Sequence, residues 1–276
     1  MRVLVLGLYA EGSTDERFLS PVIRRTTEEL LAKYDGGSSW DEALIMPIKL
    51  SSKQRANRAQ SILTAAGKAQ GCHILIVHAD ADGPTHKKAL AERFTPGFML
   101  VKQADENVCQ DLLPIIPVQE IEAWLLADKE TLLKELGTSQ NANTIGIPPL
   151  QRIEGTARPK EQLDRIIQVV NNAHKWSISR VELYEPLGEA VRLDKLARLS
   201  AYQQFNTDLN KRADQSGDHC ACLRAKIVIV DALLLREILT TTTYLHSQES
   251  PPLPPDRLPV RVCAIRSGLL RARAGW

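Results

Sequence analysis

The sequence predicts an α/β fold in which a parallel or mixed sheet is flanked by helices. Two short apolar runs, residues 3–8 and 74–77, have the length and composition of buried strands. Segments with helical spacing alternate with such runs through about residue 140, an alternation typical of a sheet covered on both faces. Acidic residues follow each run at once, which places carboxylates at the carboxyl edge of the sheet.

The predicted elements follow from this alternation. The first strand, residues 2–8, precedes a helix over residues 14–34. Leu19, Val22 and Ile23 recur at helical spacing within this helix. A segment that begins with Asp35 and contains glycines ends it. Apolar runs predict the later strands, and amphipathic segments predict the later helices. The later strands are residues 43–48, 73–78, 97–102 and 113–118; the later helices are residues 53–69 (basic and amphipathic), 84–94 and 119–128.

The pattern changes after about residue 140, which predicts three domains. Residues 1–140 form the α/β catalytic domain. Residues 141–245 form a smaller helical lobe, with segments at 161–173, 187–191, 194–200 and 201–211 and a long helix over 223–240. Residues 246–276 are rich in Pro and Arg, so they form either a disordered tail or a basic arm that holds phosphates.

Composition excludes several classes of protein. The net charge of +2 gives no global field that demands nucleic acid, so any such contact must be a local patch. No apolar stretch is long enough to span a membrane, and five scattered cysteines indicate reduced thiols, which together predict a cytoplasmic protein. His219, Cys220 and Cys222 lack a second ligand pair at zinc-site spacing.

Three carboxylates carry the chemistry that the sequence predicts. Glu11 follows the first strand, and Asp80 and Asp82 follow the third. Two carboxylates that are two residues apart point the same way in extended backbone, where they require a cation between them. We therefore expect a hard-cation site for Mg²⁺ or Mn²⁺.

Other interpretations of these motifs remain open. Gly12 and the helix that follows it could hold a phosphate, although Asp15 and Glu16 would oppose an anion there. The segment from Asp80 to Gly83 is also typical of a turn. An Asp-x-Asp-Gly sequence after a strand occurs in haloacid-dehalogenase-like phosphatases too, but Pro84 stands where those enzymes usually have Thr.

Together, the segment from Glu11 to Phe18 and the Asp80-x-Asp82 pair resemble a Toprim domain, the catalytic core of primases, topoisomerases and OLD-family nucleases. Residues 118–128, 156–163 and 196–209 resemble segments of a Toprim-like family catalogued as domain-of-unknown-function family 4276, with RloG-like members. The resemblance covers roughly residues 1–212. Gln119 stands where that family usually has His.

The resemblance implies a role for each matching residue. Glu11 is the expected acid/base and, with Asp80 and Asp82, a metal ligand; Glu122 is a further acidic candidate, ahead of Glu120. Lys160, like Gly12, is expected to hold a phosphate.

The implied function is a Mg²⁺-dependent nuclease acting on DNA or RNA, in bacterial defence beside an ATPase partner. The alternatives are a non-catalytic Toprim-scaffold subunit of such an assembly and, less favoured, the phosphatase. In the nuclease, basic side chains such as Lys53, Arg55, Arg58 and Lys102 would steer the nucleic acid backbone.

Overall fold

A computed structural model describes residues 3–33, 40–104 and 107–212, all of which belong to a compact unit of residues 1–220. The predicted helix at 223–240, the tail at 246–276 and the considered zinc ligands His219, Cys220 and Cys222 all lie outside the described residues.

The described part of the chain is built on a parallel sheet of four strands in the order β2-β1-β3-β4. This arrangement confirms the predicted α/β fold, and the strands overlap four of the predicted runs. Side chains of β1 alternate between the two faces of the sheet, as a period of two requires. The strands are β1 (Val3–Tyr9), β2 (Glu42–Pro47), β3 (Ile74–His78) and β4 (Leu112–Ile115). Strand β4 ends three residues before the end of its predicted run, 113–118.

Helices cover both faces. One core cluster joins Leu4, Leu6 and Leu8 of β1 to α1 and to the later helices, and another joins Tyr9 to α2 and α4. On the first side lie α1 (Ser13–Lys33), α5 (Glu122–Leu125), α6 (Lys129–Glu135), α7 (Pro159–His174), α8 (Arg180–Ala190), α9 (Leu193–Leu196) and α10 (residues 200–212). On the second side lie α2 (Arg58–Lys68) and α4 (Thr95–Gln103).

The predicted strand at 97–102 is wrong, because these residues belong to helix α4. A short helix α3 (Lys87–Ala89) and a π-helical turn (Leu90–Phe94) run directly into α4. Gly97 and Val101 are its buried residues, four apart, which is a helical period. A Cβ on Gly97 would lie 2.6 Å from Ile62, so this glycine allows α4 to pack closely on α2. A short apolar run does not distinguish a strand from a buried helix.

The helix predicted over residues 119–128 is also largely wrong. Only α5, one turn long, forms inside it, and α6 begins at Lys129. Gln119 has a φ of 62°, a left-handed conformation that interrupts any helix at that point. Residues 121–128 are all buried, so their apolar character reflects burial on every side and not an amphipathic helix.

The basic segment at 53–69 is likewise divided, into a 3₁₀ turn (Ser52–Arg55) and α2, which Asn57 caps. The helices after residue 141 share one core cluster with β1 and α1. The predicted domain boundary at residue 140 stays a prediction. Across the described ranges, none of the helices combines the length and apolar character needed to cross a membrane.

Helix α8 packs closely against α1. A Cβ on Gly188 would lie 2.6 Å from the carbonyl oxygen of Phe18 and 2.7 Å from Pro21. Arg25 donates a hydrogen bond of 3.1 Å to the Gly188 carbonyl. A glycine is therefore required at this crossing, since any larger residue would push the helices apart.

Candidate functional site

The sheet brings the predicted acidic residues to one edge. Strands β1 and β3 pair in parallel, with Tyr9 opposite Val77. Glu11 lies two residues after β1, and Asp80 lies two residues after β3. Both therefore emerge at the carboxyl edge, which is where ligands bind in open parallel sheets.

His78 lies at the centre of this edge and is completely buried. Its Nδ1 is 3.7 Å from Asp15 Oδ2, and its Nε2 is 3.4 Å from Asp80 Oδ1. The Glu11 backbone N–H also points at Nδ1, at 3.5 Å. Burial lowers the pKa of His78, but the nearby carboxylates of Asp80, Asp15 and Glu11 outweigh it, so the pKa is raised.

The Glu11 carboxylate lies between two arginines. Its Oε1 is 3.8 Å from Arg58 Nη2 and 3.9 Å from Arg93 Nη1. Arg58 is fixed by a hydrogen bond to the His78 carbonyl and by stacking over Tyr9. Burial raises the pKa of Glu11, although His78 and the two arginines act against this rise.

Asp82 lies apart from Asp80, with a side chain that is 54% exposed and paired with Arg93 Nη2. Its φ of 48° turns the chain between the two residues, so the extended geometry that would align their carboxylates is absent. Arg93 also donates a hydrogen bond of 2.9 Å to the Asp80 carbonyl oxygen. The hydrogen bond to Asp82 raises the pKa of Arg93, which stays charged.

A polar cavity of about 240 Å³ opens on the other side of Asp80. It gathers Gly12, Asp80, Glu122 and Lys160, four of the residues that the sequence singles out, but neither Glu11 nor Asp82. The full lining is Gly12, Thr14, Asp15, Asp80, Glu120, Glu122, Lys160, Arg180, Val181 and Tyr184. Acidic and basic groups thus face one another across a small volume.

Glu122 is buried in the wall of this cavity. Tyr184 donates a hydrogen bond of 2.6 Å to its Oε1, and Arg180 Nε lies 3.7 Å from the same oxygen. Burial raises the pKa of Glu122, and the Tyr184 hydrogen bond acts against that rise. A protonated carboxyl at this position could serve as a proton donor.

The two predicted phosphate-binding residues have specific backbone partners. The Gly12 N–H donates to Asp15 Oδ2 at 2.8 Å, and the Lys160 N–H donates to Glu120 Oε2 at 3.2 Å. A phosphate at the start of α1 would therefore have to displace the Asp15 carboxylate. The side chain of Lys160 lines the cavity from the first turn of α7.

The basic residues predicted to steer nucleic acid fall into two places. Arg55 donates a hydrogen bond of 2.7 Å to the Glu11 carbonyl oxygen, so it lies beside the site with Arg58. Lys53 occupies the same 3₁₀ turn as Arg55. Lys102 instead hydrogen-bonds to the carbonyl of Gln110, just before β4 begins, which places it at the amino edge of the sheet.

The oxygen donors at this edge have the chemistry that Mg²⁺ and Mn²⁺ prefer. Within residues 3–33, 40–104 and 107–212, however, no three His, Cys, Asp or Glu side chains are grouped closely enough to hold a metal ion. The Arg93 guanidinium lies 3.9 Å from Glu11 Oε1 and pairs with the Asp82 carboxylate. The residues present therefore suit a divalent cation in type but not in their present arrangement.

Sequence patterns missed several residues of the site. Arg93 is eleven residues from Asp82, and Tyr184 is sixty-two from Glu122, so no local spacing connects them. His78 lies among Asp15, Asp80 and the backbone of Glu11, which come from different parts of the chain. The roles of Glu11, Asp80, Asp82, Glu122, Gly12 and Lys160 stay predictions.

Comparison with known proteins identifies the family of the chain. The chain matches no curated protein and no solved structure. Residues 10–210, which include all the acidic and basic residues of the site described above, match the family described as Domain of unknown function (DUF4276). The matched segment is well over half of the 276 residues. The chain therefore belongs to the DUF4276 family.

Proposed function

We propose that this protein is a metal-dependent phosphodiester hydrolase that acts on nucleic acid. The observation that carries the proposal is the meeting of Glu11, Asp80 and Glu122 at one edge of a parallel sheet, beside arginines suited to phosphate. A divalent cation, when bound to Glu11, Asp80 and Asp82, would supply charge stabilisation of the phosphate and a more acidic water. The resemblance to Toprim nucleases supports the same chemistry.

Two glutamates are expected to move protons in the reaction, and a histidine is expected to position its neighbours. Glu11 is the residue that we expect to move the proton of the attacking water, because it follows β1 directly at the carboxyl edge and lies between Arg58 and Arg93. Glu122 holds a proton more tightly than an ordinary glutamate, so it suits protonation of a leaving oxygen. His78 positions Asp80 and the backbone of Glu11 from its buried place between them.

Cations on both sides of the acidic residues suit a phosphate backbone. Lys160 and Arg180 face the cavity, while Arg55 and Arg58 flank Glu11. Guanidinium groups bind phosphate through paired, charge-assisted hydrogen bonds and carry no sequence information. We therefore propose backbone binding without base recognition. An ATPase partner, a role in bacterial defence and a cytoplasmic location belong to the same proposal.

A cleavage assay tests the proposal. The purified full-length chain is incubated with Mg²⁺ or Mn²⁺ and with plasmid DNA, single-stranded DNA and total RNA. We expect cleavage of at least one substrate, a loss of about 100-fold or more in Glu11→Gln, and no activity in Asp80→Ala. Circular dichroism checks that both variants are folded.

The matched control is Glu28→Gln, the same chemical change on the exposed surface of α1, where Glu28 pairs with Arg24. This variant should cleave like the wild type. Undiminished cleavage by Asp80→Ala would overturn the assignment of the site. Cleavage reduced equally in Glu28→Gln would show that the losses come from a general change in the protein.

The second candidate is a non-catalytic subunit of a larger assembly. The observation that favours it is Arg93, whose guanidinium already compensates the charges of Glu11 and Asp82. Calorimetry with Mn²⁺ separates the candidates, because a scaffold subunit needs no metal. Absence of binding at millimolar Mn²⁺ would favour the subunit.

The haloacid-dehalogenase-like phosphatase has less support. In that mechanism both aspartates of the motif must face the same substrate. Here Asp80 lines the cavity, whereas Asp82 is exposed and paired with Arg93.

A further inference from the structure

We propose that Arg93 is a built-in competitor of the divalent cation, holding the Glu11 and Asp82 carboxylates in the metal-free protein and leaving them when the cation binds. The inference rests on the proposed function, since it names the residue that controls occupancy of the same site. It explains why carboxylates of the right type are present although no three of them are grouped around a metal position in the described ranges.

The contacts of Arg93 are those expected of a substitute cation. Nη2 pairs with the Asp82 carboxylate, Nη1 donates to the Asp80 carbonyl at 2.9 Å, and the same Nη1 lies 3.9 Å from Glu11 Oε1. One guanidinium thus lies beside two of the three carboxylates that are expected to bind metal, those of Glu11 and Asp82, and reaches Asp80 only through its backbone carbonyl. Removing it would leave the Asp82 carboxylate without this cation.

The backbone around Arg93 departs from regular geometry on both sides of the contact. Arg93 lies in the π-helical turn between α3 and α4, and such turns occur frequently at functional sites. Its partner Asp82 has a φ of 48° and hydrogen-bonds through its N–H to the carbonyl of Gln119, which has a φ of 62°. Left-handed conformations of this kind persist where the surroundings enforce them, often at binding sites.

The solvent exposure of Arg93 and Asp82 allows a divalent cation to replace the guanidinium beside the Asp82 carboxylate. The side chain of Arg93 is 34% exposed, and that of Asp82 is more exposed still, so water can solvate either group when they separate. Ion pairs in such surroundings contribute little to stability. A divalent cation carries twice the charge of the guanidinium and can displace it without leaving a buried charge unpaired.

Titration calorimetry with Mn²⁺ tests the inference on the full-length protein, without reference to activity. We expect Arg93→Met to bind Mn²⁺ about tenfold more tightly than the wild type, because a charged hydrogen-bonding competitor is gone. Without metal, the same variant should unfold at a lower temperature than the wild type, and saturating Mn²⁺ should raise its Tm by more than it raises that of the wild type.

Arg55→Met is the matched control. It removes the same charge beside Glu11, but the hydrogen bonds of Arg55 go to the backbone carbonyls of Glu11 and Leu50 and not to a carboxylate. It should change the affinity less than about twofold. Equal gains in Arg55→Met and Arg93→Met would overturn the inference in favour of a general charge effect. Equal affinity of Arg93→Met and wild type would overturn the inference alone, whereas absence of Mn²⁺ binding by both would overturn the proposed function as well.

Discussion

Asp128 and Asp82 each pair with an arginine, but the two pairs have opposite surroundings. Asp128 is 1% exposed, caps α6 and accepts hydrogen bonds from Thr131 and from the backbone and side chain of Arg192. Asp82 is mostly exposed and lies on a left-handed turn. The first pair joins the starts of α6 and α9, whereas the second joins a loop to a π-helical turn.

The carboxylate that stabilises the fold and the carboxylates of the candidate site have pKa values shifted in opposite directions. Burial tends to raise the pKa of Asp128, yet the hydrogen bonds from Arg192 and Thr131 lower it far below its ordinary range, so this carboxylate favours the folded state when ionised. Glu11 and Glu122 at the site have raised pKa values instead. Carboxyl groups whose ionised form is disfavoured in the folded protein are typical of functional sites.

The largest expected effect comes from the structural pair. Asp128→Ala should lower the free energy of unfolding by about 3 kcal/mol, because it removes a helix cap and several charge-assisted hydrogen bonds. The matched change Asp82→Ala should cost less than about 1 kcal/mol, since that pair is solvated. Urea denaturation of both variants measures the difference. Equal losses in the two variants would mean that the two pairs do not differ as described.

A smaller effect should follow from relief of the strained turn. Gln119→Gly should raise the free energy of unfolding by about 1 kcal/mol, because a non-glycine residue with a φ of 62° pays for its left-handed conformation. Gln140→Gly, at a position whose φ is not positive, serves as the control and should give no gain. Guanidinium unfolding curves compare the two variants, and a loss of stability in Gln119→Gly would show that its side chain contributes more than its strain costs.

The smallest effect is in the pH dependence. The folded pKa of Glu122 lies above its unfolded value, so the unfolded chain releases this proton first as the pH rises. Its contribution therefore favours folding at pH values below the ordinary 4.5 and is lost as the pH rises through the folded value. Asp128 acts in the opposite direction, with stability lost as the pH falls below its ordinary range.

Glu122→Gln should remove that fall in stability with rising pH and leave the loss at low pH. Urea midpoints between about pH 2 and pH 7 cover both effects, because the Asp128 loss lies below its ordinary pKa of 3.8. An unchanged pH profile in Glu122→Gln would show that its carboxyl titrates alike in the folded and unfolded chain.

The sheet and the order of its acidic residues could be predicted from the sequence, because strand period, burial and strand ends are local properties. Glu11 and Asp80 reach the same edge for that reason. The sequence left open whether the segment from Asp80 to Gly83 is a turn or extended backbone. That choice depends on a distant partner: the Asp82 N–H donates to the carbonyl of Gln119, nearly forty residues later, and the Gln119 N–H donates back to the carbonyl of Gly83. Helix α4 was mistaken for a strand because its buried face is only Gly97 and Val101.

The residues that pair with the acidic side chains also could not be predicted from local sequence patterns. Arg93 and Tyr184 reach their carboxylates only after separate elements pack together. A hydrophobic period indicates which face of an element is buried but not which distant residue will contact it.

Helix α8 has a consequence for how this family can evolve. One end of the helix presents Arg180 and Tyr184 to the cavity, and the other places Gly188 against the backbone of α1. A shift of one residue along the helix would rotate every side chain by about 100° and disrupt both contacts together. Insertions and deletions within α8 should therefore be selected against. Glycine should be retained at position 188, because the Phe18 atoms that a Cβ would meet belong to the backbone, which no change of side chain removes.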